Sequence, residues 1–247
     1  MPSSRTLIFP DHETLSCAVA LFFAEAAKEA ITARGRFLVS ISGGETPRLL
    51  YEKLGMSPYR DYLPWQSIHI FWSDERCVPP DDPDSNYGQA WRTWLRHIRI
   101  PPENLHRIHA ELDPVQAVND YRKELMEFSE NDSEFPTLDW VLLGLGADGH
   151  TASVFPGSTF DPLQPVAAIH HKALGRLSNR ISMTPSLINR SRQVVCMVSG
   201  PKKTAALAAS RQENADPLLW PVIRIHPEHG MLIWMVDEDA IKTPPPV

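Results

Sequence analysis

The sequence predicts an α/β fold: a doubly wound, mainly parallel sheet with helices on both faces. Three observations carry this reading. Short apolar runs alternate along the chain with longer helical patterns, as in repeated strand–helix units. The run Leu138 to Leu145 is almost wholly apolar, as a strand buried on both faces requires. Several runs end in glycine or charged residues (SGGETP, SDER, GLGADGH, SGPKK), at the carboxyl ends where Rossmann-like sheets present their functional groups.

Thr6 to Phe9 reads as a short first strand. Asp11 is placed to cap a helix running to about Ala33, with Leu15, Ala18, Val19, Phe22, Ala26 and Ala30 along one face. Residues 37–42, FLVSIS, form a buried strand that runs into SGGETP. There Gly43 and Gly44 turn the chain, Thr46 suits the N-cap, and Pro47 suits the first position of a helix through Leu54. Free amides and a positive helix end make this junction a candidate anion cradle, although a plain strand-to-helix turn would read the same way. A third strand, Ile68 to Trp72, leads to Asp74, Glu75 and Arg76, which read either as a solvated charge cluster or as site residues. Helical patterns follow at 86–98 and, behind the cap Asp113, at 114–128; their aromatic stripes read as core. Further on come Val166 to Ile169, RISMT at 180–184, a short helix near 186–190, and the strand Gln193 to Val198. That strand enters SGPKKTAALAAS, with Lys202 and Lys203 at a helix start, where a bound anion would relieve their opposition to the dipole. Val222 to Ile225 and Met231 to Val236 are the last strand candidates. A single domain over residues 1–247 is the simplest division, with 160–190 as a candidate subregion.

The 247 residues carry a net charge of −6 and no basic run, which argues against nucleic acid and anionic membrane as partners. Cys17, Cys77 and Cys196 are odd in number and far apart, fitting a reducing cytosol rather than a disulfide framework. The N-terminus lacks the pattern of a signal peptide, and the most apolar helix candidate, Leu15 to Ile31, is interrupted by Glu25, Lys28 and Glu29. A soluble, cytoplasmic protein is expected, monomeric or weakly dimeric. The ten histidines show no H-E-x-x-H or similar spacing, so no metal site is expected.

The stretch 138–158, LDWVLLGLGADGHTASVFPGS, organises the rest. Gly144, Gly146 and Gly149 make a turn tight enough for backbone amides to face a ligand, and Asp148 and His150 sit within it. The same glycines spell G-x-G-x-x-G, but a dinucleotide site needs an acidic residue about 20 positions on. The next strand-like run ends in His170 and His171, adjacent residues read as unrelated to ligation, so nicotinamide is not expected.

Taken together, SGGETP, WSDERCV with DSNYGQA behind it, GLGADGHTASVFPGS, RISMTP and SGPKKTAAL resemble the 6-phosphogluconolactonase family, in the family's order and across about residues 40–210. GADGHTASVFP is the most specific of these blocks. The wider superfamily includes glucosamine-6-phosphate deaminase, which is similar up to D-G-H but then carries an Asn-Glu pair where this chain has Val154 and Phe155. The family's phosphate loop commonly reads G-G-S-T-P; here Glu45 replaces the serine and is expected to point away from a phosphate.

The resemblance implies hydrolysis of 6-phosphoglucono-1,5-lactone, in the oxidative pentose phosphate pathway, without metal or cofactor. It implies His150 as the general base that activates water; an imidazole, with a reference pKa of about 6.5, suits that task. Asp74 is expected to orient His150 or the sugar hydroxyls, with Asp148 forming the turn. Backbone amides of the glycine turn, at Gly146 and Gly149, are expected to meet the oxyanion. The phosphate is expected to be held by Arg76, Arg180 and Lys203 with Ser42, Gly43, Gly44 and Thr46. The alternatives are a deaminase or isomerase acting in the same cleft, and a non-catalytic sugar-phosphate sensor.

Overall fold

The structure is a computed structural model that describes residues 3–130, 135–173 and 176–242. Its strands are β1 (Ser3–Phe9), β2 (Phe37–Ile41), β3 (Ile68–Trp72), β4 (Asp74–Arg76), β5 (Leu105–His106), β6 (Trp140–Leu143), β7 (Val166–Ala173), β8 (Arg176–Met183), β9 (Gln193–Val198) and β10 (Met231–Asp237). Seven of them form one sheet in the order β1-β10-β9-β6-β2-β3-β5. Every pairing in it is parallel, as expected. All residues of β2 and β6 are buried, so the middle of the sheet is covered on both faces.

The order of strands fixes where a site can form. From β2 the chain moves outward to β3 and β5; from β6 it moves the other way, to β9 and β10. The reversal between the neighbours β2 and β6 leaves a crevice at their carboxyl ends. A second sheet, β4-β8-β7, is antiparallel and takes its two long strands from the segment 160–190. It is tied to the first where Met183 N–H donates to the Ser73 carbonyl, one residue past β3.

Local chemistry sets the helix ends. The helix His12–Arg34 starts at Asp11, whose carboxylate accepts from Thr14 N, and stops at Gly35 in the left-handed conformation. Its buried face includes Phe23 rather than Phe22; the Phe23 ring meets Phe37, Trp94 and Trp140 edge-on at 5.4, 6.1 and 5.5 Å.

Three expectations need correction. The helix after β2 begins at Arg48, with Pro47 at the cap position and no side-chain cap, so Thr46 does not cap it. The pattern at 86–98 is a helix only over Asn86–Thr93; Trp94 leaves helical geometry at φ −140°, and a single tight turn, Leu95–His97, follows. Val222 to Arg224 lies in a tight helical turn, Pro221–Arg224, with Ile225 just past its end, not in a strand. Pro221 lacks the N–H a strand would donate, and Val222 N–H donates instead to the Gly149 carbonyl at 3.0 Å.

At the opposite edge of the sheet, Asp139 joins three elements. Its Oδ2 accepts from Leu38 N at 2.8 Å, and its Oδ1 takes Arg34 at 2.8 Å and Arg192 at 3.5 Å. Asp139→Ala would strand the Leu38 N–H and leave Arg34 without its carboxylate. It should lower unfolding free energy by about 2–3 kcal/mol in urea titration, and a loss below about 1 kcal/mol would show that Asp139 is not a structural tie.

Candidate functional site

A cavity of about 520 Å³ lies at the reversal between β2 and β6. Its walls come from the segments following β2, β3, β6 and β9, with Arg180 from β8. Of the residues predicted from sequence, Ser42, Gly43, Gly44, Thr46, Asp74, Arg76, Gly146, His150, Arg180 and Lys203 line it; Asp148 and Gly149 sit in the same glycine loop without lining it.

The loop after β6 places His150 beside Asp148. Gly146 N–H donates to the His150 carbonyl at 2.7 Å and Gly149 N–H to the Gly146 carbonyl at 3.0 Å, closing the turn on itself. A side chain at Gly146 would lie 2.1 Å from His150 Nδ1 and 2.5 Å from Asp148 Oδ1, so only glycine leaves room for that pair. His150 Nδ1 meets Asp148 Oδ1 at 2.6 Å. An ionised carboxylate can only accept, so Nδ1 carries the hydrogen, and in the neutral ring Nε2 is the nitrogen with the lone pair. The bond from His150 is the main cause that lowers the Asp148 pKa to about 2, against the opposing effect of burial.

This geometry reassigns two expected roles. Asp148, read as a turn-former, is the carboxylate that holds His150. Asp74 lines the cavity but does not hold His150: Oδ2 accepts from Ser153 Oγ at 2.6 Å, Oδ1 from Asn86 Nδ2 at 3.3 Å, and Arg180 lies 3.6 Å away. The Gly146 and Gly149 amides are used inside the turn and are not open to an oxyanion.

Asp74, Glu75 and Arg76 are not a solvated cluster. Glu75 is 3 % exposed and accepts from the amides of Arg76, Asn86 and Tyr87 and from Ser85 Oγ. Burial raises its pKa and the three amide bonds oppose that rise. Two of those amides open the helix Asn86–Thr93, so Glu75 fixes that helix start and, with it, Asn86. The Asn86 side chain then packs against Gly43, where a Cβ would fall 1.8 Å from Oδ1.

The loop after β2 is held from several sides. Tyr51 Oη donates to the Ser42 carbonyl. Gln89 accepts from Gly44 N at 2.9 Å through Oε1 and donates to Gly44 O at 3.0 Å through Nε2. The Gly44 amide is therefore not a free anion donor. Ser42 Oγ donates to the Leu142 carbonyl at 2.7 Å and meets Ser73 Oγ at 2.9 Å, so its hydrogen ties β2 to β6 rather than facing a ligand. Glu45 is 88 % exposed, with Arg48 at 3.9 Å, although it also lies on the cavity rim.

Cations gather on the cavity wall: Arg76, Arg180, Lys202 and Lys203. Arg76 is steadied by the Asp84 carbonyl. Burial lowers the Lys203 pKa, the charge of Asp148 opposes this, and Lys202 adds to it. Sequence reasoning missed Asn86, Gln89 and Ser153 as site-building residues, although all three lie inside the blocks DSNYGQA and GHTASVFPGS. The Val154 and Phe155 side chains are 0 % and 5 % exposed, so apolar core stands where a deaminase carries its Asn-Glu pair. Among the described residues no group of three or more His, Cys, Asp or Glu could hold a metal, and no helix is long and apolar enough to cross a membrane.

Comparison with known proteins agrees with this architecture. The family model described as glucosamine-6-phosphate isomerases/6-phosphogluconolactonase matches residues 10–234. The 6-phosphogluconolactonase of Synechocystis sp. is 41 % identical over 218 residues, covering 86 % of each chain. That of Aggregatibacter actinomycetemcomitans is 38 % identical over 205 residues, covering 83 % of this chain and 86 % of the relative. The crystal structure of devB protein superposes with a TM-score of 0.86 at 32 % identity, covering 96 % of this chain and 98 % of that one. By the extent of the family match and the identity to these relatives, the chain belongs to the glucosamine-6-phosphate isomerase/6-phosphogluconolactonase family.

Proposed function

We propose that this protein hydrolyses 6-phosphoglucono-1,5-lactone to 6-phosphogluconate, the lactone-opening step of the oxidative pentose phosphate pathway. The observation that carries the reading is the Asp148–His150 pair at one side of a cavity whose wall also bears Arg76, Arg180, Lys202 and Lys203. A base and a cation cluster in one cavity suit a phosphorylated, neutral ester. The named relatives support the same substrate.

In this reading the cations hold the phosphate and place the lactone carbonyl near His150. His150 Nε2 takes a proton from water as the oxygen adds to the carbonyl carbon. The tetrahedral intermediate then collapses, the ring C–O bond breaks, and His150 returns the proton to the departing ring oxygen. Asp148 keeps Nε2 free and stabilises the imidazolium formed in between. Asp74, fixed by Ser153 and Asn86, is placed to accept from a sugar hydroxyl. The described residues form one α/β unit in this proposal, and their free cysteines suit a reducing cytosol.

The direct test is a paired assay: loss of freshly generated lactone above the uncatalysed blank, and ammonia release from glucosamine-6-phosphate. Lactone loss without ammonia is expected; ammonia without lactone loss would move the protein to the deaminase branch. His150→Ala should lower kcat by about 10²–10⁴-fold with the fold intact, and near-normal turnover would remove it as the base. Asp148→Asn should lower kcat roughly a hundredfold with little change in KM, whereas Asp74→Asn acting in its place would restore the original assignment. Lys203→Ala should raise KM about tenfold or more for the phosphorylated lactone and leave an unphosphorylated lactone unaffected; equal loss on both would show that Lys203 does not read phosphate.

A further inference from the structure

The Asp148–His150 pair is half open to water, with side chains 48 % and 33 % exposed. One bond at Nδ1 fixes the tautomer of the base but does not stop its ring from swinging about that bond. The stop is aromatic. The Phe155 ring lies 4.8 Å from the His150 ring, tilted by 44°. Phe155 is in turn covered by His171, whose ring lies flat on it at 3.6 Å and 4°. His150 and Phe155 share one tight loop, closed where Val154 N–H donates to the Thr151 carbonyl at 2.9 Å. His171 comes from the other sheet, on β7 opposite Ser178.

The partner strand adds a second hold. Arg180 on β8 places its guanidinium 5.5 Å from the Phe155 centroid, with Asp74 3.6 Å away. The β7–β8 hairpin thus presses two side chains onto Phe155. Neither Phe155 nor His171 lines the cavity.

We propose that His171 is a positioning residue for the base, acting through Phe155: the series His171–Phe155–His150 sets the ring orientation from which Nε2 meets water. The inference rests on the reading of His150 as the general base. It assigns a role to a residue that sequence reasoning set aside. The chemistry asked of position 171 is a flat ring, not a proton.

The test compares three variants of the full chain with freshly generated 6-phosphogluconolactone. His171→Ala and His171→Leu remove the flat ring, and Leu keeps most of the volume should Ala disturb the hairpin. Both should lower kcat about threefold to tenfold with KM unchanged, while His171→Phe should restore kcat to near wild type. A merely structural role would not separate Phe from Leu. The second readout needs no turnover: the Cε1–H signal of His150, which lies beside the Phe155 ring, should move in His171→Leu and return toward its wild-type position in His171→Phe. Unchanged kcat and an unmoved signal in His171→Leu would overturn the proposal, as would a His171→Phe variant impaired as much as Leu. A wild-type protein with no lactone hydrolysis would remove the proposed function alone, and the His150 signal would still decide the stack.

Discussion

The structure depends on the parallel pairing of β2, β6 and β9 side by side in the middle of one sheet. Parallel strands all finish at the same edge, so three connections that begin with glycine or serine must emerge together there. Because the chain turns opposite ways from β2 and β6, nothing from the sheet's own crossovers covers the gap between them. The residues that line the cavity reach it from that edge, from the start of the helix Asn86–Thr93, or from the small antiparallel sheet beside it.

The carboxylates near this gap show how burial and bonding divide labour. Glu75 is nearly inaccessible and saturated by amides at a helix start, a place where negative charge is favoured; its work is to hold the helix Asn86–Thr93. Asp74 is equally buried but turned to the cavity, with a hydroxyl, an amide and a guanidinium around it. Asp148 is the most exposed of the three and is tied to His150. Adjacent acids in the sequence, Asp74 and Glu75, thus do unrelated jobs, while the acid that partners His150 is two residues from it in its own loop.

Much of the fold was legible in the residues. β3 and β9 fall where the apolar runs put them, and Asp11 and Asp113 cap the helices expected of them, because strand burial and cap chemistry are local signals. Val222 to Ile225 misled because a short apolar run is also what a buried tight turn looks like, and Pro221 was the cue against a strand. The cavity was legible as a set of strand ends; its internal bonding was not. Whether Asp74 or Asp148 holds His150 depends on the curl of one glycine turn, and Ser42, Gly44 and Asn86 find their partners across long stretches of sequence. His171 gave no signal at all, since its contact with Phe155 exists only where the β7–β8 hairpin of the other sheet lies against the loop after β6.

Gln89 gives the loop after β2 an unusual mechanical character. By binding both the N–H and the carbonyl of Gly44, its amide does for one glycine what a neighbouring strand does for a ladder residue. A glycine turn left to itself would sample many conformations, and a ligand would have to select among them. Here that conformational entropy is surrendered when the chain folds. The wall of the cavity is stiff before any ligand arrives, so binding free energy need not be spent on ordering it.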